Sequence, residues 1–164
     1  MMAAAVSVRR ADYANPHDAA SLVMLLDAYA SDPAGGGEPL SDFAKANLVP
    51  SLAARPTAFS ILAFDGEQPV GLVNCIEGFS TFACKPLVNV HDVAVLAGYR
   101  GQRIGEQMLA LAETIARARG ACKLTLEVLS GNTGAEKLYR RVGFAYYELD
   151  PAMGQAGFMQ KWLD

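Results

Sequence analysis

Two neighbouring stretches carry the side chains best suited to chemistry. They are His91-Asp92, within the apolar run Pro86-Leu87-Val88-Asn89-Val90-His91-Asp92-Val93-Ala94-Val95, and Arg100-Gly101-Gln102-Arg103-Ile104-Gly105-Glu106 just beyond it. A histidine, with an ordinary pKa near 6.5, is poised to accept a proton at neutral pH. The Arg/Gly stretch follows a strand ending at Val95 and opens an amphipathic helix. That order leaves the first helical N–H groups without internal partners and aims the positive end of the helix dipole outward. Phosphate suits such a place: glycines let a ligand approach the main chain, and Arg100 and Arg103 add charge matched to a pyrophosphate. Each feature also has a structural reading, with solvated arginines on an ordinary connection, and with His91 a satisfied strand residue and Asp92 bonded to nearby backbone. His17, at the start of the first helix, reads as a surface residue.

The elements that must position these residues follow from hydrophobic period and turn chemistry. Residues 5–10 alternate as a first strand. Asn15-Pro16 starts a helix, with Asn15 as its cap and Leu22, Val23, Leu25, Leu26 and Tyr29 as its buried stripe, ending near Asp32-Pro33. A glycine-rich loop follows, and Ser41-Asp42 caps a second helix that Pro50 interrupts or ends. Asp27, Asp32, Glu38 and Asp42 read either as a solvated acidic face or as a mouth that attracts an amine.

Apolar runs at 58–64 and 70–76 flank Asp65-Gly66-Glu67-Gln68-Pro69, which predicts a β-hairpin. Gly78-Phe79-Ser80-Thr81-Phe82 extends the second of these strands or forms a loop. In the strand 86–95, period-two alternation puts His91, Val93 and Val95 on one face and Asp92 and Ala94 on the other. The helix opened by the Arg/Gly turn ends at Arg119-Gly120, and residues 122–128 form a strand reached by a right-handed crossover, parallel to its neighbour. Residues 132–144 read as a short capped helix. Strands at 144–149 and 157–163 close the chain.

At 164 residues, with 52% hydrophobic and 19% charged side chains, the chain is of single-domain size, so one globular domain over 1–164 is expected. A net charge of −3 and a pI near 5.4 give no general basis for binding nucleic acid or an anionic membrane, and favour a cationic substrate if anything. Cys75, Cys84 and Cys122 lack metal-ligand spacing and a partnered histidine, so neither a metal nor a thiol nucleophile is expected. With no basic start before an apolar core in residues 1–10 and no bilayer-length apolar run, the protein reads as cytoplasmic.

The element order β-α-α-β-β-β-α-β-α-β-β, together with three spaced pieces, resembles the GNAT superfamily of acetyl-CoA-dependent N-acetyltransferases. The pieces are Val95 before Tyr99-Arg100-Gly101-Gln102-Arg103-Ile104-Gly105, Asn132 after the next strand, and Leu138-Tyr139-Arg140-Arg141-Val142-Gly143-Phe144. The resemblance implies an α/β (α+β) fold with a mixed, mostly antiparallel central sheet flanked by helices. The family's phosphate turn runs Gln/Arg-x-x-Gly-x-Gly/Ala, so Arg100 and Gly105 match, while Arg103 stands where glycine is usual. A residue there already in helical geometry would still present its N–H.

By the same resemblance, acetyl-CoA would be held by Arg100, Gly101, Gln102, Arg103, Ile104, Gly105 and Glu106 at its diphosphate. Val93 and Val95 would pair with its pantetheine arm, and Asn132 would bond the arm from the other side. Tyr139 matches the tyrosine that protonates the departing thiolate, although it also suits a helix residue packed on Phe144. Some relatives, including arylalkylamine and glucosamine-phosphate N-acetyltransferases, carry His or Glu at the position of His91, and the latter have Asp beside it, as Asp92 here.

A lysine-like amine, with a pKa near 10.4, is neutral in only about one molecule in 2,500 at pH 7, a handicap of roughly 4.6 kcal/mol, so its proton needs an acceptor. The expected reaction is direct acetyl transfer to a small-molecule primary amine in a ternary complex, without metal or covalent acyl-enzyme. Homodimerisation through sheet edges or C-terminal strands is a further implication of the family. The competing reading is a non-catalytic acyl-CoA-binding module, which keeps the turn but needs neither base nor acid.

Overall fold

The computed structural model describes residues 5–163. Residues 1–4, which enter the reading of the N-terminus, lie outside the described residues. The elements are β1 (Ser7–Arg10), α1 (Pro16–Ser31), α2 (Asp42–Ala53), β2 (Ala58–Asp65), β3 (Gln68–Ser80), β4 (Lys85–Val95), α3 (Ile104–Ala118), β5 (Leu124–Leu126) and α4 (Thr133–Arg141). Contacts divide the chain into two compact units, one ending at Leu126 and one beginning at Glu127.

The first unit holds a five-stranded sheet in the order β1-β2-β3-β4-β5. Its first four strands are antiparallel neighbours and β5 runs parallel to β4, so the fold is mixed α/β with a mostly antiparallel sheet, as expected. Leu22 and Leu25 of α1 and Val49 of α2 pack with Leu62, Phe64, Leu72 and Ala94 of the sheet. Full burial of side chains of this size contributes about 1.5–3 kcal/mol each. Against β3 lies α3. A Cβ on Gly71 would come within 2.9 Å of the Met108 side chain and 3.2 Å of Ala63 Cβ, so glycine allows that close approach.

Asn15 caps α1 by accepting N–H bonds from His17 at 2.9 Å and Asp18 at 3.1 Å. In α2 the helix runs through Pro50 to Ala53 rather than stopping there. Pro50 removes only its own N–H, and its carbonyl still accepts from Ala54 at 3.1 Å. The segment at 78–82 divides between the two expectations: residues 78–80 extend β3, and Thr81 and Phe82 lie in the turn that follows.

The second unit holds α4 and the chain on either side of it. Asn132 Oδ1 caps α4 by accepting from Ala135 N–H at 3.2 Å, and Phe144 N–H returns to the Tyr139 carbonyl at 2.9 Å. The strands expected at 144–149 and 157–163 are absent from the described residues. A bond from Ala156 N–H to the Tyr147 carbonyl at 3.3 Å joins the two segments. Leu149, Phe158, Met159, Trp162 and Leu163 are exposed, and an isolated hairpin is marginal in water.

Candidate active site

A β-bulge in strand β4 determines where the two candidate proton acceptors point. Asn74 of β3 faces Asp92, but the next residue, Cys75, faces Val90, so His91 is the extra residue with no partner opposite. Asn74 and Ile76 share one face of β3, and their partners Asp92 and Asn89 therefore share one face of β4. His91 Nδ1 lies 2.7 Å from Asn89 Oδ1, which brings it to that side too. Strict alternation, which put His91 and Asp92 on opposite faces, is corrected by this one inserted residue.

Neighbouring bonds set the histidine's tautomer. Asn89 Nδ2 donates to Thr125 Oγ1 at 3.0 Å and, at 3.4 Å, to the Thr125 carbonyl, which can only accept, so Asn89 turns its oxygen to the histidine. Nδ1 of neutral His91 then carries the proton and Nε2 the lone pair. His91 is exposed and Asp92 half-buried. Asp92 Oδ2 accepts from Asn74 Nδ2 at 3.1 Å. On α1, burial pushes the Tyr29 hydroxyl above its ordinary value, and the charges of Asp92 and Asp32 add to that push, which places an anionic neighbourhood beside this face.

The outer edge of β4 opens beyond the bulge. β5 pairs with β4 only at Val88, Asn89 and Val90, so within this unit Val93 and Val95 have no strand on that side. Leu96 N–H bonds to the Val70 carbonyl on β3, whereas the Val95 carbonyl accepts from Arg100 Nε at 3.2 Å away from β3. By strand alternation, the main-chain groups of Val93 and Val95 point off the free edge. An extended amide-containing arm could add there as a further strand.

The edge leads to the N-terminus of α3, where no side chain makes a capping bond. Gly101 takes φ +79° in the turn, while Ile104 and Gly105 are buried and Gln102 and Glu106 flank them. Arg103 is itself left-handed, with φ 61° and ψ 21°. The helical geometry expected for it is therefore corrected: the turn needs the conformation that glycine supplies freely, and arginine holds it at a cost. Arg100 bonds to Asp32 Oδ2 at 3.3 Å as well as to Val95. Asp27 is likewise engaged, accepting from Leu40 N–H at 2.8 Å and pairing with Lys45 at 3.5 Å. Two of the four acidic residues read as a mouth thus hold the chain together.

Within the second unit, Tyr139 is buried and meets Phe144 edge-on at 5.9 Å between ring centres. Asn132 serves as a helix cap. Sequence reasoning missed Asn89, Thr125 and Asn74. Asn89 and Asn74 each interrupt an apolar strand run, and an asparagine inside a buried strand needs partners, which was the available signal. Among the described residues no cluster of His, Cys, Asp and Glu could hold a metal, and no helix is long and apolar enough to cross a membrane.

Comparison with known proteins bears on the fold and the family. Over 89 residues the chain is 38% identical to the streptothricin acetyltransferase of Streptomyces lavendulae, covering 52% of this chain and 47% of that protein. Over 88 residues it is 32% identical to the mycothiol acetyltransferase of Corynebacterium glutamicum, covering 54% of this chain and 28% of that one. The matched stretches thus span about half or less of these relatives. The solved structure of AAC(6')-Iy with the bisubstrate analogue CoA-S-monomethyl-acetylneamine has a TM-score of 0.76 at 15% identity, with 97% of this chain and 99% of that one covered. A soil-metagenome aminoglycoside acetyltransferase, meta-AAC0020, solved with sisomicin, has a TM-score of 0.78 at 16% identity over 97% of each chain. At such identities the likeness is one of fold. The sequence model described as the acetyltransferase (GNAT) family matches residues 22–144, three quarters of the chain, and on that match the chain belongs to the GNAT family of acetyltransferases.

Proposed function

We propose that the chain is a single-domain, cytoplasmic, acetyl-CoA-dependent N-acetyltransferase whose acceptor is a primary amine of a small cationic molecule. The observation that carries this reading is the run of three features along β4: the bulge that gathers His91 and Asp92, the free main-chain edge at Val93 and Val95, and the uncapped start of α3. The streptothricin acetyltransferase match supports a small amine acceptor.

In this mechanism the pantetheine arm adds to the edge of β4, and the diphosphate takes the N–H groups that begin α3, with Arg100 and Arg103 contributing charge. Asp92 holds the acceptor's ammonium, and His91 Nε2 removes its proton directly or through a water. The freed amine attacks the thioester carbon. An N–H from Val93 or Val95 receives the oxyanion, a kind of contact worth about 3 kcal/mol in the barrier. Collapse expels the CoA thiolate, which Tyr139 protonates, a role resting on the match of Leu138 to Phe144 with the family's motif. Asn132 bonds the arm.

Thiol release from acetyl-CoA with streptothricin or sisomicin as acceptor tests the proposal. Turnover is expected to fall about a hundredfold in His91→Ala and in Tyr139→Phe, with the affinity for acetyl-CoA kept. Binding of acetyl-CoA without turnover across a broad amine panel would favour the non-catalytic module instead.

A further inference from the structure

A polar row crosses the buried middle of the sheet and ends on Asp92. Ser60 of β2 stands opposite Asn74 of β3, and Asn74 stands opposite Asp92 of β4, so the three share one line across the α1 face. Tyr13, from the loop between β1 and α1, closes the line with its hydroxyl 2.8 Å from Ser60 Oγ. Ser60 Oγ donates to Asn74 Oδ1 at 2.6 Å, and Asn74 Nδ2 donates to Asp92 Oδ2 at 3.1 Å. Ser60 is fully buried and Asn74 is 4% exposed, so these groups stand where a Val or Leu would pack at no desolvation cost. The neighbouring row on the same face, Leu62, Leu72 and Ala94, is wholly apolar.

Directions along the row are determined by what each atom can do. A carboxylate only accepts, so Asn74 must turn its NH2 to Asp92 and its oxygen to Ser60. Ser60 then gives its single proton to Asn74 and accepts from Tyr13. Burial pushes the Tyr13 hydroxyl above its ordinary value, which keeps it a donor. Every donor therefore points one way, toward Asp92, and such chains polarise cooperatively. Among the described residues Asp92 Oδ1 makes no hydrogen bond, which leaves one carboxylate oxygen with its partner chosen and the other open.

We propose that Tyr13, Ser60 and Asn74 are positioning residues that fix the Asp92 carboxylate with Oδ1 turned to receive the acceptor's ammonium. This rests on the proposed role of Asp92, and it gives the polar row a purpose that stability alone does not supply. Ser60 is the informative position, because without its hydroxyl Asn74 Oδ1 loses its donor and the amide is no longer held from that side.

The test joins steady-state kinetics, with streptothricin as acceptor, to NMR of the Asn74 side-chain amide. Ser60→Ala is expected to raise the KM for the amine about fivefold, as for one lost hydrogen bond, with kcat and the KM for acetyl-CoA little changed. Tyr13→Phe, at the far end of the row, is expected to raise it about twofold. In an Asp92→Asn background Ser60→Ala should add nothing. The Asn74 NH2 resonances should move in Ser60→Ala and in Tyr13→Phe. A purely structural row would lower the melting temperature and leave the amine KM alone, or its effect would multiply with that of Asp92→Asn, and either result overturns the proposal. If Asp92→Asn is itself harmless, or streptothricin is not turned over, the reading of the site or of its acceptor has failed. In that event the amide resonances still decide, and unmoved Asn74 signals overturn the row.

Discussion

Arg100, the arginine that the turn sequence marks for a diphosphate, reaches across to Asp32 and pairs with it at 3.3 Å. The bond to Ala34 N–H and the pairing with Arg100 hold the Asp32 carboxyl below the usual carboxylate range. In the proposed binding mode, a diphosphate arriving at α3 would compete with Asp32 for this guanidinium. Exposed pairs of this kind are weak, so breaking this one costs little. Asp32→Asn is therefore expected to lower the dissociation constant for CoA by up to about fivefold, measured by calorimetry.

Arg103 holds a left-handed conformation at a strain of about 1–2 kcal/mol. Glycine would relieve it, but would also add about 0.4–1 kcal/mol of unfolded-chain entropy. Arg103→Gly should leave stability to urea within about 1 kcal/mol of the parent. Arg103→Val, β-branched and worse suited to positive φ, should lose about 1–2 kcal/mol.

Asp18 is 1% exposed, with Arg9 bonded to both its oxygens at 2.6 Å and Asp12 N–H to one at 2.8 Å. The Arg9 hydrogen bonds come first among the causes that hold its pKa below the ordinary value, so its contribution is complete at neutral pH. As pH falls below about 3.9 the unfolded carboxyl takes up protons before the folded one. The stabilisation therefore shrinks until the depressed folded-state value is passed. Asp18→Asn should cost about 1.5–3 kcal/mol at pH 7, as for hydrogen bonds to a charged group, because the Arg9 left behind is half-exposed, and should flatten the acid limb of the stability profile followed by circular dichroism.

Burial pushes the Cys75 thiol up to about 12, whereas Cys84 and Cys122 are exposed. Iodoacetamide at neutral pH should add to two cysteines in the folded protein and to three after denaturation, counted by mass spectrometry. Alkylation of folded Cys75 would contradict the burial and reopen a thiol route.

Much of the fold was legible because its signals are local. The Asn15-Pro16 cap, the Asp65-Gly66 turn and the α3 stripe each act over a few residues, and each formed where expected. Strand and turn also marked Arg100 to Gly105 as an anion-binding turn, whereas Val93 and Val95 were named only through the family resemblance. The bulge at His91 was not legible, because it depends on the register between β3 and β4, which no single strand encodes. The same holds for the conformation of Arg103, where a long side chain conceals a turn that asks for glycine. At 144–149 and 157–163 apolar and aromatic residues were present without a ladder to pair with among the described residues, and apolar content alone does not make a strand.

The account turns on where the cofactor binds, and a titration of 15N-labelled protein with acetyl-CoA, read by amide resonances, addresses that most directly. The amides of Val93 and Val95 and those from Gly101 to Glu106 are expected to move together and to saturate with one dissociation constant. Saturating binding that leaves those resonances in place would contradict it.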